Sequence, residues 1–223
     1  MKKSREPQYQ ICLDIAERNG VTKFGLMSNQ VWQDDPRRLV FMLARYKFVA
    51  KMFTGMKNVL EIGCADAFGT RIVLQEVEHV VAADFDPVFV EDVSTRHNER
   101  WPIEVRLHNI LDGPVPGLFD GVYSLDVLEH IVQECEGLFI TNIANSLNDH
   151  GVAIIGSPSL QSQIYASPPS REGHVNCKDA VGLKKLMSQY FHNVFIFSMN
   201  DEVVHTGFYP MAHYLLALCC GKK

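Results

Sequence analysis

The stretch Glu61-Ile62-Gly63-Cys64-Ala65-Asp66-Ala67-Phe68-Gly69-Thr70 decides the fold. It closes a short apolar run, Val59-Leu60-Glu61-Ile62, and leads into a helical pattern. The small residues Gly63, Ala65, Ala67 and Gly69 let the backbone turn tightly and let a ligand lie against it. A strand, a small-residue turn and a helix are the first half of a βαβ unit.

Working outward, the same rhythm repeats. Strand-like runs at 79–83, 103–107, 121–125 and 152–155 alternate with helical stretches, the clearest at 131–147. This predicts a mostly parallel sheet covered by helices. The end differs: the runs at 194–199 and 214–220 have no helix-length segment between them, which predicts an antiparallel finish. Before the first strand the chain reads as helical. Ile11, Leu13, Ile15 and Ala16 mark a short amphipathic piece, broken at Asn19-Gly20. Asp34-Asp35-Pro36 reads as a helix start, followed at helical spacing by Leu39, Met42, Leu43, Tyr46, Val49 and Ala50. The expected division is a helical cap at 1–57 and a sheet domain at 58–223.

The 223 residues, 47% hydrophobic and 21% charged, suit one globular unit with a short extra segment. A net charge of -5 disfavours a general nucleic-acid binder. Met1-Lys2-Lys3-Ser4-Arg5-Glu6 has no apolar run behind it and does not read as a signal peptide. The late apolar run at 214–220 is too short to cross a bilayer. Cysteines 12, 64, 135, 177, 219 and 220 contain no C-x-x-C pair, so reduced thiols and a cytoplasmic location are expected.

In an open parallel sheet, ligands bind beyond the carboxyl ends of the strands, where strand order reverses. A dinucleotide needs glycine or alanine at the third fingerprint position, which here holds Phe68. Its pyrophosphate would also meet Asp66. S-adenosylmethionine (SAM) has no phosphate and carries an ammonium and a sulfonium, so Glu61 and Asp66 suit it better. Asp84 ends the second strand about twenty residues past the glycine turn, the distance for a ribose-binding carboxylate. Asp86 is the alternative, and a plain helix cap the blander role. Asn109, after the third strand, either serves an adenine edge or closes an Asx turn.

Together these residues resemble the class I SAM-dependent methyltransferases over roughly 57–156. Val59-Leu60-Glu61-Ile62-Gly63-Cys64 looks like the family's first motif. Asp84 falls on its ribose-binding position, and Asn109 where many members have aspartate. Ser124-Leu125-Asp126-Val127-Leu128-Glu129-His130 is similar to the fourth-strand motif of many small-molecule members. The family often has glycine where Ala65 and Ala67 stand. The resemblance implies a Rossmann-like, doubly wound α/β fold with a seven-stranded sheet, mostly parallel with an antiparallel last strand, plus N-terminal helices over the cofactor. It implies SAM as cofactor, S-adenosylhomocysteine (SAH) as product, and Phe85, Ile110 and Leu125 as further cofactor contacts. A fainter likeness is to methyltransferases of bacterial surface-polysaccharide pathways.

Methyl transfer from a sulfonium is an in-line displacement, and a neutral oxygen nucleophile also needs a base. Two loops fall at the ligand edge. The one at 157–176 offers Tyr165, Arg171 and His174; the one after 199 offers Asn200 and His205, with Asp201 or Glu202 to orient it. His174, then His205, then Tyr165 are the catalytic candidates, each against the plainer role of bonding its own loop. His130 ranks behind the other histidines because a helix start there would use it for capping or packing. Arg45, Tyr46, Arg171 and Asn200 are the candidates for holding the acceptor, although most arginines of the N-terminal helix read as a solvated face. Phe24 and Trp32 either cover the cofactor or belong to the core. No metal is expected: Asp126 is available, but Gly156-Ser157-Pro158-Ser159 offers no acidic partner.

The expectation is a cytoplasmic enzyme, monomer or homodimer, that methylates a small polar acceptor, with neither nucleic-acid nor membrane partners. No Asn-Pro-Pro-Tyr-like segment, suited to a flipped base, follows the fourth strand. An NAD-dependent oxidoreductase and a non-catalytic SAM-binding module are the competing alternatives.

Overall fold

Apolar runs in which consecutive residues are buried need cover on both faces, and parallel strands with helices on each side provide it. The computed structural model describes residues 3–96 and 99–223; Met1 and Lys2, which open the segment read as lacking a leader, lie outside the described residues. The sheet strands are β1 (Asn58–Ile62), β2 (His79–Asp84), β3 (Glu104–Leu107), β4 (Phe119–Leu125), β5 (Leu147–Pro158), β6 (Phe191–Asn200), β7 (Val203–His205) and β8 (Tyr214–Lys222). Their spatial order is β3-β2-β1-β4-β5-β8-β6-β7. The pairs β1–β2, β1–β4, β2–β3 and β4–β5 are parallel, whereas β8 runs antiparallel to both β5 and β6. This is the expected doubly wound, mostly parallel sheet with an antiparallel finish.

Among the described residues the strand count is eight, where seven were expected. Val203–His205, read as loop, folds back on β6 through Met199↔Val204 and Ser198↔His205. Asp201, with φ 48, makes the turn, in the left-handed region that Asp tolerates better than most residues.

The helices are α1 (Gln10–Asn19), α2 (Leu26–Asp34), α3 (Arg37–Met52), α4 (Thr70–Leu74), α5 (Pro87–Thr95), α6 (Glu136–Ser146), α7 (Pro168–Gly173) and α8 (Ala180–Met187). Gly20 ends α1 with φ 73. Asp35 accepts from the Arg37 N–H at 3.3 Å and pairs with its guanidinium at the start of α3. No helix of the described residues is long and apolar enough to cross a membrane.

Side chains alternate across a strand, so each strand feeds two cores. Leu60, Ile62, Val81, Val122 and Ile155 pack with Phe139 and Ile143 of α6 and Leu183 of α8. Val59, Val80, Tyr123 and Ile154 pack with Tyr46, Val49 and Phe53 and with Val73 of α4. Each fully buried aliphatic side chain of these layers contributes about 1.5–3 kcal/mol of transfer free energy. Strand order reverses between β1 and β4, so the turns after these two strands face one crevice.

Candidate functional site

The turn after β1 is built from left-handed residues. Gly63 has φ 74, Ala65 φ 45 and Ala67 φ 49. A Cβ on Gly63 would lie 2.3 Å from Val127 Cγ2, so only glycine lets the turns after β1 and β4 meet. The two alanines hold a conformation that costs a non-glycine residue about 1–2 kcal/mol, and such strain concentrates where a ligand approaches backbone. The turn is fastened to β2: the Gly63 and Cys64 N–H groups donate to the Ala83 carbonyl, and the Ala65 N–H donates to Asp84 Oδ2 at 2.8 Å. Asp84 Oδ1 accepts from the Asp86 N–H at 2.9 Å, and Asp86 itself caps α5. Each Asp84 oxygen keeps a lone pair for a ribose hydroxyl. Phe85 beside it is 71% exposed, while Ile110 and Leu125 are buried. Small strained turn, carboxylate and free apolar ring fit SAM.

Three members of the expected cofactor set are otherwise engaged. Asn109 Oδ1 accepts from the Leu111 N–H at 3.1 Å, which is the Asx turn. Asp66 is buried and faces α2, accepting from the Ser28 N–H at 2.6 Å and the Ser28 hydroxyl at 3.3 Å. It fixes the N-terminal helix to the glycine turn instead of meeting an ammonium. Glu61 sits on the α3/α4 side of β1, 1% exposed. Its carboxylate accepts from Tyr46 Oη at 2.7 Å, Tyr123 Oη at 2.8 Å and the Thr70 hydroxyl. Burial outweighs these three donors and pushes Glu61 up to about 7. Tyr46, expected at the acceptor, is therefore corrected to a core residue whose phenol serves Glu61; burial, then the Glu61 charge, raises it well above its ordinary value.

A second set of polar groups gathers past β4. Asp126, with φ 58, carries both carboxylate oxygens within 2.6–2.8 Å of Arg45 Nη1, and the guanidinium lies 3.7 Å over the Tyr214 ring. Burial pulls Arg45 down, but the Asp126 charge and its neighbours more than restore it, and it stays ionised. Next follows a 3-10 turn, Leu128–His130. Glu129 on it is 1% exposed, and neither carboxylate oxygen receives a hydrogen bond of ordinary geometry, with Ser157 the neighbouring hydroxyl. Burial, then the Asp126 charge, pushes Glu129 up to about 8. Among the described residues, Arg45 Nε, Arg96 Nε, Gln161 Oε1, His213 Nε2 and Tyr214 Oη are also buried without a hydrogen bond of ordinary geometry. Unmatched polar atoms are rare in a folded interior, and their concentration on the carboxyl side of the sheet marks a place made to receive something polar.

His174 joins this cluster. The Val175 and Asn176 N–H groups both donate to the Glu129 carbonyl, which draws the 157–176 segment onto the turn after β4. The His174 and His130 rings meet edge to face with centroids 5.2 Å apart. One ligand-type atom from each of Glu129, His130 and His174 lies within 4.8 Å of the others. Burial, then the neighbouring His130, lowers the His174 imidazole below its ordinary value, so it is neutral at pH 7. The expectation of no metal rested on the strand ends alone. It looked for a carboxylate after β5, whereas the groups come from the turn after β4 and from residue 174.

The remaining candidates stand apart. His205 donates from Nε2 to Asn200 Oδ1 at 2.8 Å while its Nδ1 accepts from the Gly207 N–H at 3.0 Å, so both ring nitrogens serve the β6–β7 hairpin. Asn200, not Asp201 or Glu202, orients it, and also donates to the Met211 carbonyl. Arg171 donates to the Ala166 and Ile164 carbonyls, bracing its own loop. Tyr165 is 83% exposed and has no hydrogen bond or ring contact among the described residues. Phe24 stacks near Trp32 and Phe68 over the glycine turn. Sequence reasoning missed Glu129, Tyr214, Ser157 and His213 as site residues; the one available signal was the Asp126-x-x-Glu129-His130 spacing. Two surface clefts, of about 720 Å³ beside α4 and α5 and about 530 Å³ between α3 and β7, contain no residue of the cluster. Within the cluster Glu129 is buried, His174 half-buried and His130 exposed.

Comparison with known proteins agrees with the fold. Residues 60–155 match a family model described as a methyltransferase domain. A probable S-adenosylmethionine-dependent methyltransferase of Mycobacterium tuberculosis is 27% identical over 104 residues, 46% of this chain and 36% of its own. A counterpart from Mycolicibacterium smegmatis is 25% identical over 104 residues, 46% of this chain and 38% of its own. The matched region thus spans little more than a third of these curated relatives. Among solved structures, the N-methyltransferase NodS of Bradyrhizobium japonicum, in complex with SAH, superposes with a TM-score of 0.64 at 20% identity, covering 85% of this chain and 90% of that one. A putative methyltransferase of Haloferax volcanii, in complex with the Trm112 activator, gives 0.68 at 11% identity, covering 87% and 95%. These two likenesses are of fold.

Proposed function

We propose that this chain, which carries a class I SAM-dependent methyltransferase domain and uses SAM as its cofactor, transfers the methyl group to an oxygen of a small polar acceptor. The observation that carries the oxygen assignment is the polar cluster past β4, in which the neutral His174 meets His130 and the unpartnered Glu129 carboxylate. A hydroxyl held against it loses its proton by way of the cluster to solvent. The oxygen then bonds the methyl carbon, and the carbon–sulfur bond breaks with its electron pair left on sulfur, giving SAH. His174 is the residue against which the acceptor oxygen sits. Arg45, held by Asp126, keeps its buried Nε for an acceptor oxygen, which suits a sugar-linked or phosphorylated metabolite such as a surface-polysaccharide precursor.

The cofactor set in this reading is Gly63, Ala65, Asp84, Phe85, Ile110 and Leu125, with the Asn109 amide nitrogen facing adenine. Glu61 and Asp66 shape the turn from behind. Residues 1–57 act as a cap whose α2 is tied to the turn through Ser28 and Asp66. The setting is cytoplasmic.

Calorimetric titration with SAH, with NADH as control, tests the cofactor half. Saturable SAH binding is expected; binding of NADH alone would overturn it. Incubation with methyl-labelled SAM and a panel of sugar nucleotides and sugar phosphates tests the acceptor half, and methylation found only on amines would overturn the oxygen assignment.

A further inference from the structure

Glu129, His130 and His174 have a geometry that proton transfer alone does not require. His130 Nδ1 lies 2.9 Å from the Gly173 carbonyl, an atom that only accepts, so the proton is on Nδ1 and the lone pair on Nε2. His174 repeats the arrangement: its Nδ1 lies 2.9 Å from Gln163 Oε1, which again leaves Nε2 as the lone-pair nitrogen. Imidazoles pinned through one nitrogen by a carbonyl, with the other left bare, are the usual support of metal-ligating histidines. A ligand-type atom of each histidine lies within 4.8 Å of the Glu129 carboxyl group, which is 1% exposed and receives no hydrogen bond of ordinary geometry at either oxygen. A Cβ on Gly173 would sit 3.3 Å from the His130 ring, so glycine there allows the backbone carbonyl its close approach.

We propose that Glu129, His130 and His174 form a binding site for one divalent first-row transition cation, Mn²⁺ or Zn²⁺, beside the methyl acceptor. Two nitrogen ligands and one carboxylate favour these ions over Mg²⁺, which prefers oxygen donors and near-octahedral hydration. Three protein ligands leave coordination positions open, and a cation there lowers the pKa of an acceptor hydroxyl placed beside it. The Asp126 carboxylate, held by Arg45, adds negative charge next to the site. Gln163 and the Gly173 carbonyl act as positioning groups. This inference rests on the oxygen-methylation reading for its purpose, and on the cluster alone for its existence.

The full chain, dialysed against a chelator, is titrated calorimetrically with MnCl₂, ZnCl₂ and MgCl₂, and separately with SAH. One equivalent of Mn²⁺ or Zn²⁺ is expected to bind, with Mg²⁺ weaker. H130A, H174A and E129Q each raise Kd at least about tenfold, Q163A raises it by about the same factor, and H150A, at an exposed position of β5, leaves it unchanged. Circular dichroism confirms that each variant is folded; E129Q, which replaces a buried acid by a neutral amide, keeps the test sound if a histidine variant fails. No binding, or binding indifferent to Glu129, His130 and His174, overturns the cation site. SAH binding without metal binding removes this inference and leaves the cofactor reading standing; metal binding without SAH binding does the reverse.

Discussion

Replacing Glu61 by Gln separates a buried acid from its hydrogen bonds. In the folded chain Glu61 titrates at about 7 against an ordinary 4.5, because burial outweighs the three hydroxyls that donate to it. The folded state therefore holds a proton that the unfolded chain has given up. Stability is lost as pH rises above the unfolded value, and the loss stops growing once pH passes the folded value. Between about pH 5 and about pH 8 the difference amounts to ~2.5 kcal/mol. For a chain of this length that corresponds to roughly 5–10 °C in Tm. Gln cannot ionise, so E61Q removes this slope. It also keeps one hydroxyl turned from donor to acceptor, as the protonated acid already does, so the amide itself costs little below about pH 7. Thermal melts of both proteins across this range, plotted as E61Q minus wild type, are expected to start slightly negative and rise by that 5–10 °C. A flat difference would show that Glu61 is already ionised when folded, and the account of its cage would be wrong.

Two further outcomes follow from the site. At the Arg45–Asp126 pair the partners are unequally covered, with side-chain exposures of 17% and 37%. Removing Asp126 strands the buried cation, so D126N should cost about 3 kcal/mol, whereas water can reach Asp126 in R45M and the cost should be about half that, both read from denaturant unfolding. Equal costs would mean that the cation's contact with Tyr214 holds it without the carboxylate. In the glycine turn, G63A meets both a φ of 74 and the Val127 methyl, and should weaken SAH binding at least about tenfold in calorimetry. A65G relaxes a left-handed alanine and should gain about 1 kcal/mol in unfolding; a loss would mean that the turn carries no strain there.

The sheet was legible because its signals are local and periodic. Val59 to Ile62, the small-residue turn and Asp84 gave the βαβ start, and the missing helix between 199 and 214 gave the antiparallel end. β7 was not legible: three residues that pair through backbone with β6 leave almost no pattern. Glu61 was misjudged although alternation was in view, since residues 59 and 61 share a face and Val59 packs against α3 and α4. Asp66 depends on Ser28, and Glu129 on His174; contacts between residues so far apart are made by topology, and no local window carries them. For the same reason Arg45 was singled out as a residue to hold the acceptor, but its pairing with Asp126 was not. Asn109 and His205 took the plain roles weighed beside the functional ones, because short polar side chains at strand ends find backbone groups first.

The position of β8 has a consequence for the order in which the protein assembles. It is made after β6 and β7, yet it lies between β5 and β6. Until β8 is in place the β6–β7 hairpin has no edge of the sheet to join, because β5 reaches it only through that strand. The folding chain must carry the apolar Val194, Ile196 and Phe197 without a neighbouring strand until 214–222 slot into the gap. Insertion of β8 is therefore expected to be a late step, and chaperone capture to be strongest before it.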